Sequence, residues 1–147
     1  QGRGPQRSRV VSQADGLDIL PAHVLDASAL LAFLHGEVGA NTVRPLLSSS
    51  VISSVNWAEV LQKVIARGSR EVRDVREDLQ SMRLRILPFD AQDAESTAHL
   101  WSTSRRAGLS LGDRACLSLA QKLGLPALTA DRGWSAIDLE VEVRLIR

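Results

Sequence analysis

Tyrosine is absent from this 147-residue sequence, and three tryptophans and two phenylalanines make up its whole 3% of aromatics. A core must then be assembled from Leu, Val, Ile and Ala. A binder that holds single strands by stacking successive bases is disfavoured. Cysteine occurs once, at Cys116, which excludes an internal disulfide and fits a reducing compartment. Its neighbours Ala115, Leu117 and Ala120 mark it as a buried structural thiol rather than a nucleophile. No apolar run approaches the roughly 18 residues of a membrane span, and the amino end has no signal-peptide core. The expectation is a cytoplasmic protein with no membrane partner. Lysine is scarce, limited to Lys63 and Lys122, and every other basic side chain is arginine. Arginine's planar fork suits phosphate, although a GC-rich genome produces the same bias. Net charge is only +1, so the whole molecule is not a polycation.

What is present is an alternation of short apolar runs with helical patterns, the signature of βαβ units and a parallel sheet. Residues 1–21, rich in Arg, Gly, Gln and Ser, read as a loosely ordered extension or an artificial leader. Arg3, Arg7 and Arg9 offer the alternative of a basic arm on nucleic acid. Residues 22–147 read as one domain. Strands are expected at His23–Asp26, Val51–Ser53, Arg83–Pro88, Pro126–Thr129 and Glu142–Ile146. Between them come helices at Ala29–Leu34 and Gly39–Leu47, with Pro45 tolerable near an end or a kink. A further helix runs to Gly68 with Ala58, Leu61, Val64 and Ile65 on its inner face. The charged Ser69–Met82 follows, with a Val72, Val75 and Leu79 stripe. Asp90 caps a helix to about Ala107 that turns Ala94, Ala98, Leu100 and Trp101 inward, and Ser110–Leu123 closes at Gly124. Asp131–Ile137 is a turn or short helix. The expected fold is a three-layer α/β/α domain around a central parallel sheet of four to five strands.

Four acids stand at corresponding places in this pattern. Asp26 and Asp131 each follow an apolar strand, while Glu59 and Asp113 are each read in the first turn of a helix. Strand C-termini and the helix starts that follow them share one edge of a parallel sheet, where such folds bind ligands. Each acid also has a local explanation. Asp26 can cap its helix, Glu59 and Asp113 stand three residues after Asn56 and Ser110 as in capping boxes, and Asp131 can make an Asx turn. Together they make a cluster that is costly without a counter-ion. Two like charges about 4 Å apart repel by about 4 kcal/mol at an effective dielectric of about 20. Magnesium or manganese answers such a set, because hard cations prefer oxygen ligands.

Four stretches carry a family resemblance: Val24-Leu25-Asp26-Ala27-Ser28-Ala29-Leu30, Ser53-Ser54-Val55-Asn56-Trp57-Ala58-Glu59, Leu109-Ser110-Leu111-Gly112-Asp113-Arg114-Ala115-Cys116 and Leu128-Thr129-Ala130-Asp131-Arg132. In order and type they resemble the successive motifs of PIN-domain ribonucleases. The compact size is similar to that of the VapC-type toxins of prokaryotic toxin–antitoxin pairs. The resemblance spans about Val24 to Ile146.

The resemblance implies an endoribonuclease dependent on Mg2+ or Mn2+, with Asp26, Glu59, Asp113 and Asp131 as its acidic quartet. Asp26 and Asp113 would be direct ligands, Asp131 a direct or water-mediated one, and Glu59 would orient a water or a second ion. Ser28 and Thr129 would hydrogen-bond the carboxylates or the scissile phosphate. It also implies in-line attack by activated water on RNA, leaving a 5′-phosphate and a 3′-hydroxyl. A homodimer and a cognate VapB-like antitoxin are implied as partners. The antitoxin would lie on apolar surface of Ala29–Leu34 and Gly39–Leu47 near Trp57, a residue for which ordinary core packing is the alternative.

Two other readings stand beside it. A receiver-like phosphoacceptor domain expects a lysine near the end of its last strand, and 142–147 offers none. A PIN-like interaction module would keep the fold without the chemistry. His23, His35 and His99 lack metal-like spacing. Arg105, Arg106 and Arg114 are candidate RNA guides, although Arg105-Arg106 also suits a helix C-terminus. Neither a Gly-rich phosphate loop nor a Ser-His-Asp order emerges.

Overall fold

Val24-Leu25, Val51-Ile52 and Ala127-Leu128 are pairs of adjacent apolar residues. A strand turns successive side chains to opposite faces, so each pair needs cover on both sides. The structure, a computed structural model describing residues 20–147, provides it. Strands β1 (His23–Leu25), β2 (Ser50–Ser53), β3 (Arg85–Leu87), β4 (Ala127–Thr129) and β5 (Val143–Leu145) form one sheet in the order β3-β2-β1-β4-β5. All four pairings are parallel. Leu25, Ile52 and Leu128 face one core with residues of α1 (Ala27–Leu34), α2 (Ala40–Val43), α3 (Ser54–Arg67) and α4 (Val72–Ser81). Val24, Val51 and Ala127 face a second core with Leu100, Trp134 and α7 (Leu111–Leu123). This is the expected three-layer α/β/α domain, with five strands. Its strand order differs from the β2-β1-β3-β4-β5 of receiver-like domains.

Expectations for residues 1–19, including Arg3, Arg7 and Arg9, lie outside the described residues. From there on, the apolar periodicity locates every expected strand, while several helices differ in extent. Asp26 is the N-cap of α1 rather than part of β1. After α2 the chain tightens into a 3₁₀ turn, Arg44–Ser49, with Pro45 at its start where no helical N–H is needed. No described helix is long and apolar enough to cross a membrane.

Two helix faces differ from expectation. In α3 the buried stripe is Asn56, Val60 and Val64, while Ala58 and Ile65 are exposed. Val64 is buried and Leu61 half-buried as expected, but the stripe begins on a polar residue, Asn56, which hydrophobicity alone does not select. The helix expected from Asp90 to Ala107 is instead α5 (Ala91–His99), α6 (Trp101–Ser104) and a 3₁₀ turn, Arg105–Ala107. Ser102 donates to the carbonyl of His99, and Thr103 and Ser104 donate to that of Leu100. Such hydroxyl back-bonding competes with helical hydrogen bonds. Thr97, Leu100 and Ser104 form the buried side here, while Ala94 and Ala98 are exposed and Trp101 points outward at 51% exposure. The guanidinium of Arg105 lies over the Trp101 ring, 5.3 Å from its centroid.

Candidate active site

The sheet order reverses between β1 and β4, because the chain builds outward through β2 and β3 and then returns to β1's other side. Open α/β sheets bind their ligands beyond the strand C-termini at such a switch point. Leu25 pairs with Leu128 there, and the backbone N–H of Asp26 donates to the Leu128 carbonyl at 2.9 Å. Asp26 and Thr129 therefore leave their strands side by side.

Asp26 is 4% exposed and does not use its carboxylate to cap α1. Its Oδ2 instead accepts from Ser28 Oγ at 2.7 Å and from Thr129 Oγ1 at 2.9 Å. The two hydroxyls in turn accept from the backbone N–H groups of Ala130 and Asp131, at 2.9 and 3.0 Å. Each hydroxyl has one hydrogen and spends it on Asp26, so both relay backbone dipoles from the exit of β4 to one carboxylate oxygen. Burial nonetheless pushes the Asp26 carboxyl up to about 6. The two hydroxyls oppose the rise, and the charges of Asp113 and Glu59 add to it.

The other three acids sit on the same edge in different settings. Glu59 lies in the second turn of α3, not the first, because the helix is capped one turn earlier by Ser53, which accepts from Val55 N–H at 3.2 Å. The capping-box reading of Asn56 and Glu59 is thereby replaced. Asn56 lies inside the helix and donates to Glu59 Oε1 at 2.9 Å and to the Gly112 carbonyl at 2.9 Å. Burial raises the Glu59 carboxyl, Asn56 resists, Asp113 adds to the rise and Lys63 offsets it. Asp113 does complete a capping box, its Oδ2 accepting from Ser110 N–H at 3.0 Å. Asp131 does make a turn, its Oδ1 accepting from Gly133 N–H at 2.8 Å.

A common pattern results. Each carboxylate has one oxygen held by hydrogen bonds from the protein, and the second oxygen takes no hydrogen bond from the described residues. A cap and a ligand are thus compatible roles for one acid. The charge of Asp113 reaches both Asp26 and Glu59, that of Glu59 reaches Asp26, and all three acids raise the buried Cys116 thiol, after the larger effect of burial itself. Among the described residues, however, no three His, Cys, Asp or Glu side chains close on one point tightly enough to hold a metal as they stand. The donor set fits Mg2+ or Mn2+, since it is all carboxylate oxygen; Cys116, the one thiol nearby, is fully buried.

The remaining candidates fall elsewhere. Trp57 is partly buried against the first core. His23 lies at the start of β1, its Nε2 3.3 Å from Arg144 Nη1. Arg114 reaches back to the Thr97 carbonyl at 3.4 Å rather than over the acids. Asn56 is the residue at this edge that sequence reasoning treated only as a cap. Its signal was a polar residue at i, i+4, i+8 spacing with Val60 and Val64.

Comparison with known proteins agrees with this architecture. The family model of the PIN domain matches residues 23–140. Among solved structures, a toxin–antitoxin complex from Klebsiella pneumoniae is similar with a TM-score of 0.64 and 21% identity, covering 82% of this chain and 99% of that one. A DNA-bound VapBC from Salmonella typhimurium gives 0.64 and 18%, over 87% of this chain and 100% of that one. Mycobacterium tuberculosis VapC20, described as a sarcin-ricin loop cleaving toxin, gives 0.61 and 17%, over 82% and 99%. At these identities the likeness is one of fold. No curated protein matches the chain.

Proposed function

This chain belongs to the PIN domain family, and from that premise we propose that it is a divalent-cation-dependent endoribonuclease, the toxin of a toxin–antitoxin pair. The observation that carries the reading is the buried Asp26 carboxylate at the switch point, held by Ser28 and Thr129 and sharing its edge with three further acids. A carboxylate kept dry beside other carboxylates works against folding. A bound cation gives that arrangement a purpose.

Asp26, Glu59, Asp113 and Asp131 would hold Mg2+ or Mn2+, which when bound supplies charge for a phosphoryl oxygen and lowers the pKa of water toward neutrality. The chain's own residues do the rest. Ser28 and Thr129 orient Asp26 and favour its ionised form. The Ser110 and Gly133 N–H groups fix the rotations of Asp113 and Asp131. Such outer partners commonly matter to a metal site nearly as much as the ligands.

RNA as substrate rests on the motif resemblance and on the named activity of the M. tuberculosis neighbour. A VapB-like antitoxin is supported by neighbours described as toxin–antitoxin complexes. Leu31, Phe33, Leu34, Leu46 and Trp57 are partly buried hydrophobics packed against the first core, and an antitoxin segment would lie over them. A homodimer belongs to the same reading.

The test is cleavage of end-labelled RNA by purified protein with Mg2+ or Mn2+. The proposal expects cuts that vanish with excess chelator and in Asp113→Asn. Undiminished cleavage in either case would overturn it. Co-expression with the neighbouring reading frame should retain a small DNA-binding protein on the tagged chain.

A further inference from the structure

Asn56 is 0% exposed, and its amide nitrogen donates twice, to Glu59 Oε1 and to the Gly112 carbonyl, both at 2.9 Å. A carboxylate and a carbonyl only accept, so the NH2 end must face them and both its hydrogens are used. The other end, Oδ1, is buried with no partner. An orphaned acceptor works against stability, and the rest of this stripe, Val60 and Val64, is apolar. Packing alone would favour a leucine here. From the opposite side, the Glu59 carboxylate lies so close over Gly112 that an added Cβ would collide with Oε1. Gly112 also directly precedes Asp113 in the first turn of α7.

Resting on the cation-site reading above, we propose that Asn56 is a positioning residue whose NH2 group clamps Glu59 to the first turn of α7, setting the Glu59–Asp113 spacing that a shared divalent cation needs. The bare Cα of Gly112 provides the seat for that carboxylate. One amide thereby couples two acids that stand 54 positions apart. The orphaned Oδ1 is the cost of aiming the NH2 end.

The test measures Mn2+ affinity of the RNA-free protein, with kcat and KM for RNA alongside. Asn56→Leu is expected to melt at or above the wild-type temperature yet bind Mn2+ roughly 10–100-fold more weakly. Its kcat should fall with KM nearly unchanged. On a Glu59→Gln background the same change should cost little further affinity, because the amide acts through Glu59. Wild-type Mn2+ affinity in Asn56→Leu overturns the proposal, as does a full loss that persists on the Glu59→Gln background. If Asn56→Leu fails to fold, Gly112→Ala decides. It displaces only the far end of the Glu59 side chain, so the fold should hold while Mn2+ affinity drops, and unchanged affinity overturns the proposal. Wild-type protein that neither binds Mn2+ nor cuts RNA would remove the cation-site reading itself. A functional wild type with an unaffected Asn56→Leu would remove this inference alone.

Discussion

Thr129 donates its hydroxyl to Asp26 Oδ2 at 2.9 Å across 103 residues of chain, at the place where the sheet's order of assembly reverses. Both residues follow from the same parallel pairing, Leu25 opposite Leu128. The bond is the first contact beyond the ladder. It turns two neighbouring strand ends into one site.

Asp26→Asn should raise stability and abolish cleavage together. The folded carboxyl titrates at about 6, against an ordinary 3.8. A raised folded value means that ionisation costs stability, beginning above the unfolded value and complete above the folded one. The shift corresponds to about 3 kcal/mol. Metal-free wild type should therefore lose stability relative to Asp26→Asn between about pH 4 and pH 6, and hold a constant deficit above that. Urea titrations across this range check it; parallel pH profiles would contradict it.

Thr129→Val keeps the shape but removes both the donor to Asp26 and the acceptor for Asp131 N–H. At pH 7.5 it should destabilise by about 1–3 kcal/mol, since a buried carboxylate loses a donor. The deficit should shrink as the pH falls through about 6, where the folded Asp26 carboxyl takes up its proton and no longer needs the donor. A pH-independent loss would assign the effect to packing instead.

Gly39 and Gly36 both have positive φ, at 101° and 63°, but only Gly39 is crowded. An added Cβ at Gly39 would meet Ile146 Cδ1 at 2.8 Å and the Ile146 carbonyl oxygen at 2.9 Å, whereas Gly36 has open space around it. Gly36→Ala should cost about 1 kcal/mol for its left-handed backbone alone. Gly39→Ala should cost clearly more. Equal losses in chemical denaturation would show that the contact with Ile146 is soft.

Trp134 is fully buried while Trp101 is half-exposed. Trp134→Ala should destabilise by about 3–5 kcal/mol, and Trp101→Ala by no more than about 0.5 kcal/mol. Acrylamide quenching of single-tryptophan variants, keeping one of the two, would report the same ranking. Comparable losses would mean that Trp101 lies inward after all.

Much of this was legible locally. Paired apolar residues announced β1, β2 and β4, Gly68 and Gly124 marked helix ends, and Ser110 with Asp113 announced its own cap. The faces of α3 and of the α5–α6 segment were misread. Asn56 and Ser104 are buried polar residues held by hydrogen bonds, and such partners are not contained in a hydrophobic pattern. Trp101 reads as core by composition, yet the break after Leu100 turns it outward.

The sequence alone determined a parallel α/β domain and the chemical type of its four acids, because strand and helix periods, caps and apolar runs are set over a few neighbouring residues. Which strand end lies beside which, and so the bonds from Thr129 to Asp26 and from Asn56 to Gly112, was decided only by the tertiary structure. Those contacts join distant segments, and their geometry follows from the path of the crossovers and the packing of helices on the sheet.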